Sequence, residues 1–375
     1  MSTVATSPAT AKSAAELLRG WDRVEFWVGN ARTTAQFFCS AFGFRVTAYA
    51  GPETGVADRA SYVLEQNGIR LVVTAGLTAE SPITAHVRLH GDGVRDLAWS
   101  VEDAAAAFAS AVARGARVVE PPHEVRDDNG VMTLASVATY GETVHTFVDR
   151  HGYTGVFAPG FTAENLPPVP EGPEVGLLKI DHVVGNIAKG TLATWIAFYE
   201  EVLGFRELIH YSEEQIRTEY SALMSTVVWN GDKIVMPLNE PADGRRKSQI
   251  QEYLDTYGGP GVQHIALRTD DIFATVRALR ARGVRFLTTP PSYYDDVRDR
   301  LAHLNLPWDV LSDLGVLVDE DQDGYLLQIF TENISDRPTV FLEIIQREGC
   351  KGFGEGNFKA LFEAIEREQA RRGNL

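Results

Sequence analysis

The sequence predicts an α+β fold of two domains, each built from a pair of strand–helix–strands units. Three observations predict it: a length of 375 residues, a two-fold internal repeat, and a Pro- and Gly-rich segment between the repeated halves. A chain this long exceeds one ordinary hydrophobic core. We expect a disordered lead-in over residues 1–20, an N-terminal domain over 21–157, a linker over 158–176 and a C-terminal domain over 177–375.

The composition is that of a globular protein, with 44 % hydrophobic and 23 % charged residues. The net charge of −16 argues against nucleic acid and anionic membrane surfaces as partners, since both need a basic footprint. No apolar run approaches the roughly 20 residues of a spanning helix, and the N-terminus lacks the apolar core of a secretory signal. The two cysteines, Cys39 and Cys350, form no readable disulfide framework or CxxC metal site. We therefore expect a cytoplasmic protein.

The first repeated element is a strand followed by a helix rich in aromatic residues. DRVEFWVGNARTTAQFFCSAFGF at 22–44 resembles IDHVVGNIAKGTLATWIAFYEEVLGF at 180–205, with VGN and a final GF in both. Since repeated sequence indicates repeated structure, each copy is predicted to be a strand, a helix and a turn into the next strand.

The second and third elements complete each half. GDGVRDLAWSVEDAAAAFASAVARGARVVEPP at 91–122 matches GPGVQHIALRTDDIFATVRALRARGVRFLTTPP at 259–291, and TVHTFVDR at 143–150 matches TVFLEIIQR at 339–347. Each long copy predicts a strand, a helix begun near Asp, and a strand stopped by Pro-Pro. The segment between the halves, APGFTAENLPPVPEGPEVG, has no periodicity and is predicted to be the linker.

The two halves differ at three matched positions. Alignment on VGN, on the shared Gly-Val and on the terminal Arg places Phe26, Asp96 and Thr146 in the first half. The second half has His182, His264 and Glu343 at the corresponding places. We therefore predict that the C-terminal half binds a metal and that the N-terminal half does not.

Two imidazoles and one carboxylate form the facial ligand set of non-haem Fe(II) oxygenases, which leaves positions open for O₂ and a chelating substrate. Strand alternation places each candidate among apolar neighbours on one face, as in KIDHVV, VQHIA and FLEII. A lone histidine in a strand is more often a core residue, but a carboxylate on an apolar face is costly unless it is paired or bound to metal. The three together favour a metal site.

Other titratable residues have no matched partner, and we predict no ligand role for them. Asp149 and Asp181 are predicted to be solvated at strand edges. The remaining histidines of this group, all in the first half, are His86, His90, His123, His145 and His151.

The C-terminal segment is predicted to form a helix that covers the site. Phe358, Leu361, Phe362 and Ile365 recur at helical spacing and form one apolar face. Asn357 is the candidate N-cap of this helix.

The C-terminal half resembles the 4-hydroxyphenylpyruvate dioxygenases. The resemblance is carried by KSQIQEYLDTYGGPGVQHIAL at 247–267, SYYDDV at 292–297, DGYLLQIFT at 323–331, DRPTVFLEIIQR at 336–347 and GFGEGNFKALFEAIE at 352–366, and it extends over nearly all of the chain after residue 20. It implies the vicinal-oxygen-chelate fold of paired βαβββ modules, with one Fe(II) in an open C-terminal barrel. The family's ligand motifs fall on His182, His264 and Glu343.

The resemblance also implies a substrate pocket for 4-hydroxyphenylpyruvate. Aromatic walls suit a phenolic ring, and amide or hydroxyl groups suit its buried hydroxyl. The matching residues are Ser225, Pro237, Asn239, Gln249, Gln263, Gln328, Phe330, Phe341, Phe353, Asn357 and Phe358. Strict alternation points Gln263 away from His264, so we expect a local bulge or a role behind the metal ligand.

The implied activity consumes O₂, releases CO₂ and forms homogentisate, a step of tyrosine and phenylalanine catabolism. Hydroxymandelate synthase is the nearest alternative, because it oxidises the benzylic carbon of the same substrate; retention of Asn239 and Phe358 favours homogentisate. An extradiol catechol dioxygenase would release no CO₂. A metal-free binding protein of the same fold is an alternative of another class. We also expect a homo-oligomer, either a dimer or a tetramer.

Overall fold

The N-terminal half is one mixed sheet with helices on its surface. The structure is a computed structural model that describes residues 12–212, 222–371 and 373. The strands are Leu18–Trp27 (β1), Arg45–Ala50 (β2), Arg59–Gln66 (β3), Ile69–Gly76 (β4), Gly93–Val101 (β5), Val118–Asp127 (β6), Gly130–Ala138 (β7) and Val144–Asp149 (β8). The α-helices are Ala14–Leu17 (α1), Ala31–Phe42 (α2), Pro82–His90 (α3) and Ala104–Ala113 (α4), and Pro52–Thr54 is a short 3₁₀ turn.

The C-terminal half repeats this plan with longer connections. Its strands are Leu177–Asn186 (β9), Arg206–Tyr211 (β10), Ala222–Trp229 (β11), Val235–Ala242 (β12), Gly261–Thr269 (β13), Leu317–Asp321 (β14), Gly324–Phe330 (β15) and Phe341–Glu348 (β16). Its helices are Leu192–Ala197 (α5), Gln249–Tyr257 (α6), Ile272–Ala281 (α7), Pro291–Arg300 (α8), Trp308–Leu314 (α9) and Glu355–Arg371 (α10), and α5 continues as a π-helical turn over Phe198–Leu203.

The predicted duplication is confirmed by the strand order. One sheet runs β2-β3-β4-β1-β5-β8-β7-β6 and the other runs β10-β11-β12-β9-β13-β16-β15-β14. Each sheet therefore joins two βαβββ modules through their first strands, and each curls into an open half-barrel. This α+β fold is the predicted one.

The two sheets share a continuous core. Trp99 of the first half lies 5.6 Å from the ring of Phe205 in the second, and His145 lies 2.8 Å from the hydroxyl of Tyr199. The linker over 158–176 contains no helix or strand longer than a single bridge residue.

The lead-in differs from its prediction at residues 13–20. Ser13 caps α1 and forms a capping box with Glu16, and β1 begins at Leu18. The reason is burial: Ala14, Ala15 and Leu17 lie in the hydrophobic core, where α1 packs against α4. Small apolar residues in a polar-looking terminus thus stabilise an ordered segment. Residues 1–11 lie outside the described part of the chain.

The C-terminal helix begins earlier than predicted. It starts at Glu355, so Asn357 lies in its first turn and is not the N-cap. Leu361 and Phe362 are buried on the face that meets the C-terminal sheet. Within the described residues, no helix is long and apolar enough to cross a membrane.

Candidate metal centre

The three candidate ligands come from three neighbouring strands. In the central strand β13, Ala266 pairs with His182 of β9 on one side and with Glu343 of β16 on the other. His264 lies two residues before Ala266 in the same strand, so its side chain points to the same face. The strand pairing therefore brings together the three residues that the repeat comparison singled out, here called the metal triad.

The metal triad surrounds one carboxylate oxygen. His182 Nε2 and His264 Nε2 each lie 3.2 Å from Glu343 Oε2. All three residues are buried, and Glu343 Oε1 has no hydrogen-bond partner. Since a buried carboxylate oxygen without a partner is costly, these atoms fit a cation held by two imidazoles and one carboxylate.

Outer hydrogen bonds fix both imidazoles with Nε2 toward the centre. His182 Nδ1 lies 2.8 Å from Asp181 Oδ1, and His264 Nδ1 lies 3.0 Å from Gln263 Oε1. Because both acceptors are oxygens, each Nδ1 carries the proton and each Nε2 can bind a metal. The carboxylate of Asp181 is held in turn by Arg347, at 2.8 to 3.1 Å. The side chain of Asp181 is thus paired and only 9 % exposed, and the prediction that it is solvated was wrong.

Charge in the site favours a cation. Burial opposes the charged forms, yet attraction to Glu343 and Asp181 raises the pKa of His182 to about 9. The same attraction lowers the pKa of Glu343 to about 2 against the effect of burial. Burial lowers the pKa of His264. Without a metal, His182 therefore carries a proton at neutral pH. A bound metal ion would supply the positive charge in place of that proton.

Gln263 lies at a bulge and also supports a metal ligand, which are the two possibilities expected for it. The register between β13 and β9 shifts between Val262 and His264, which is a bulge at Gln263. The bulge turns the Gln263 side chain to the same side as His264, where its amide oxygen accepts from the imidazole and its side chain also lines the cavity.

A cavity opens over the metal triad. The predicted substrate residues that line it are Ser225, Pro237, Asn239, Gln249, Gln263, Phe330 and Phe353. Its wall is thus mostly apolar, with a small number of amide and hydroxyl groups.

Three predicted residues have other positions. Phe341 stacks behind His264, with ring centroids 4.8 Å apart, and supports the imidazole instead of lining the cavity. Gln328 lies under the segment before α10, where a side chain at Gly354 would collide with it. Asn357 is fully buried and accepts a hydrogen bond from Tyr293 at 2.5 Å. The side chain of Phe358 lies outside the described part of the chain.

Several lining residues were not predicted, and strand alternation could have identified two of them. Leu223 and Val227 flank Ser225 at two-residue spacing in β11 and face the cavity with it. The others are Val184 and Tyr211. Leu361, Phe362 and Ile365 of α10 also line the cavity, and they belong to the apolar face that was predicted to cover the site. This helix therefore closes one side of the cavity.

The N-terminal half has an ion pair where the C-terminal half has the metal triad. Arg23 pairs with Ala98 in the first sheet, and His182 pairs with the matching residue Ala266 in the second. The residue equivalent to His182 is therefore Arg23, and the predicted equivalence with Phe26 was wrong.

Arg23 Nη2 lies 2.9 Å from Asp96 Oδ2, and the backbone N–H of Thr146 donates to the other oxygen of Asp96 at 3.2 Å. Here a guanidinium supplies the positive charge.

Models of the glyoxalase/bleomycin resistance protein/dioxygenase superfamily match residues 22–133 and 179–329. A 4-hydroxyphenylpyruvate dioxygenase from Dictyostelium discoideum is 49 % identical and aligns over 96 % of this chain and 100 % of that protein. One from Yarrowia lipolytica is 47 % identical over 95 % of this chain and 94 % of its own. A solved structure of a 4-hydroxymandelate synthase mutant from Streptomyces coelicolor has a TM-score of 0.83 at 35 % identity, covering 94 % of this chain and 99 % of that one.

Proposed function

Because this chain belongs to the 4-hydroxyphenylpyruvate dioxygenase family of the glyoxalase/bleomycin resistance protein/dioxygenase superfamily, we propose that it converts 4-hydroxyphenylpyruvate and O₂ into homogentisate and CO₂. In this proposal the metal triad binds Fe(II), and the enzyme acts in tyrosine and phenylalanine catabolism. The observation that carries it is the buried metal triad in the wall of an apolar cavity with amide-bearing side chains. We further propose a cytoplasmic location, with which the free cysteines Cys39 and Cys350 agree.

In this reaction the protein's side chains would hold the metal and orient its ligands. A ferrous ion at these residues would supply the one-electron chemistry that activates O₂. The two imidazoles and the carboxylate would hold the metal and would leave the cavity free for substrate. Asp181 and Gln263 keep both Nε2 atoms aimed at the metal, so the ligands need no rearrangement when substrate enters.

The cavity wall suits an aromatic keto acid. Phe330 and Phe353 offer flat apolar surfaces for the ring, since both line the cavity beside the imidazoles. Ser225, Asn239 and Gln249 offer hydroxyl and amide groups that a buried phenol would need. Helix α10 excludes water from this side, which protects a reactive intermediate.

The nearest alternative product is 4-hydroxymandelate, because a synthase of that compound has the same overall fold. Asn239 lines the cavity here, and the resemblance associates an amide at this position with homogentisate formation. Release of CO₂ distinguishes both from an extradiol catechol dioxygenase, and a metal-free binding protein would show no turnover.

The test is identification of the product. Iron-loaded protein is incubated with 4-hydroxyphenylpyruvate and ascorbate, and the CO₂ is collected. The aromatic product is separated by chromatography and identified by mass spectrometry. Homogentisate with one CO₂ per turnover is expected. Hydroxymandelate as the main product would favour the synthase, and an intact substrate would overturn the proposal.

A further inference from the structure

A second group of two imidazoles and a carboxylate lies in the N-terminal half, apart from the metal triad. His86 and His90 belong to α3, and Glu142 belongs to the turn between β7 and β8. The four-residue spacing places both imidazoles on one helix face. Both histidines are buried, at 4 % and 3 % exposure, whereas the side chain of Glu142 is about half exposed, at 49 %.

One oxygen of Glu142 lies against both imidazoles. Glu142 Oε2 is 2.8 Å from His86 Nδ1 and 3.4 Å from His90 Nε2. The other nitrogen of His90, Nδ1, lies 2.5 Å from the backbone carbonyl of Tyr257. A carbonyl only accepts, so Nδ1 carries the proton and Nε2 carries a lone pair.

A second acceptor lies close to that lone pair. His90 Nε2 is buried without a hydrogen-bond partner, and the Glu142 carboxylate oxygen is 3.4 Å away. Two acceptors that face each other beside a buried helix face repel unless a cation lies between them.

Tyr257 supports both rings as an outer partner. Its hydroxyl lies 3.5 Å from His86 Nε2, its carbonyl accepts from His90, and its ring stacks on His90 with centroids 4.4 Å apart. Metal-bound histidines usually donate their second ring N–H in this way.

We propose that His86, His90 and Glu142 form a second metal site for Zn²⁺ or a divalent cation of similar ligand preference. Ligand atoms at about 2.0–2.1 Å from a tetrahedral zinc lie roughly 3.3 Å apart, close to the observed spacing, and the exposed Glu142 can adjust. Water fills the fourth position. The charge of Arg95 acts on both His86 and Glu142 and moderates the affinity.

The site joins the two halves of the molecule. A metal there fixes α3 and the turn at Glu142 and, through Tyr257, the end of α6. The first residue of α6, Gln249, lines the catalytic cavity. The site therefore has a structural role at the junction, in a half that the sequence predicted to be free of metal.

The experiment titrates iron-loaded protein with Zn²⁺ and measures both elements by mass spectrometry after gel filtration. We expect about one zinc per chain with iron retained, and a rise in Tm. Glu142→Gln removes the charge of an exposed side chain and is expected to fold normally and to weaken zinc binding at least roughly tenfold. The matched control is Glu164→Gln, an exposed glutamate in the linker, which should bind zinc as the unmodified protein does.

Two results would overturn the proposal. One is the absence of zinc beyond what displaces iron. The other is zinc binding of undiminished affinity in Glu142→Gln and in His86→Asn, with the folding of the buried His86 variant checked by its Tm. Co²⁺ gives a second readout, because the visible absorption of a four-coordinate cobalt ion should appear in the unmodified protein and be lost in Glu142→Gln.

Discussion

Asp181→Asn tests how the site holds its imidazoles. The change keeps the shape of the side chain but removes the charge that His182 Nδ1 and Arg347 share, at 2.8 Å from each. With an amide in place of the carboxylate, the imidazole loses a strong acceptor, and Nε2 becomes a weaker and less well oriented ligand. Loss of such an outer partner typically costs 10–100-fold in metal affinity, or about 1.4–2.8 kcal/mol.

The same change also affects folding, and a matched variant separates the two effects. In the N-terminal half, Asp22 accepts from Arg150 at 2.6 and 2.9 Å and occupies the position that Asp181 has in the other sheet. Both carboxylates are buried, so each substitution leaves an arginine without its charge partner and costs on the order of 3 kcal/mol of stability. Asp22 touches no member of the metal triad.

The assay is competition for iron between the protein and a chelator of known affinity, with thermal unfolding measured on the same samples. We expect Asp181→Asn to lower both iron affinity and Tm, and Asp22→Asn to lower Tm alone. Unchanged iron affinity in Asp181→Asn would refute the reasoning, and so would an equal loss of iron affinity in Asp22→Asn.

Four further predictions follow from the site. Alanine at any member of the metal triad should abolish turnover and weaken iron binding, whereas Asp96→Asn should retain iron; iron content measured in all four variants decides this. Because the pKa of His182 is about 9 without metal, binding below pH 9 should release about one proton, and affinity should fall roughly tenfold per unit of falling pH; calorimetry in buffers of different ionisation enthalpy measures this. Deletion of residues 355–375 should abolish turnover but leave iron affinity nearly intact, and full activity would show that α10 is no cover. Phe358→Ile should give detectable 4-hydroxymandelate beside homogentisate in a chromatographic product assay, since loss of a flat side chain would let the ring tilt; homogentisate alone would contradict this role.

The fold and the metal triad could be predicted because they depend on pattern. The duplicated strand and helix signals predict two sheets of the same order, and alternation within β9, β13 and β16 predicts that the three candidate ligands share a face. Neither prediction needs the exact register between strands, because both depend only on the periodicity of the apolar residues.

The register between the strands could not be predicted from the sequence. The shared VGN lies after the end of β1 in the first half but inside β9 in the second, so its alignment equated Phe26, in place of Arg23, with His182. The position of the Gln263 side chain could not be predicted either, because alternation fails where one extra residue enters a strand. Contacts such as His90 with Glu142 join residues 52 positions apart that no repeat relates, and only the folded chain brings them together.

The most direct test of the account is the position of iron in crystals of the iron-loaded protein, read from anomalous diffraction on both sides of the iron absorption edge. We expect one strong iron peak between His182, His264 and Glu343, at the wall of the cavity. Iron between His86, His90 and Glu142 with none at the metal triad would contradict the account, because the aromatic cavity would then contain no metal.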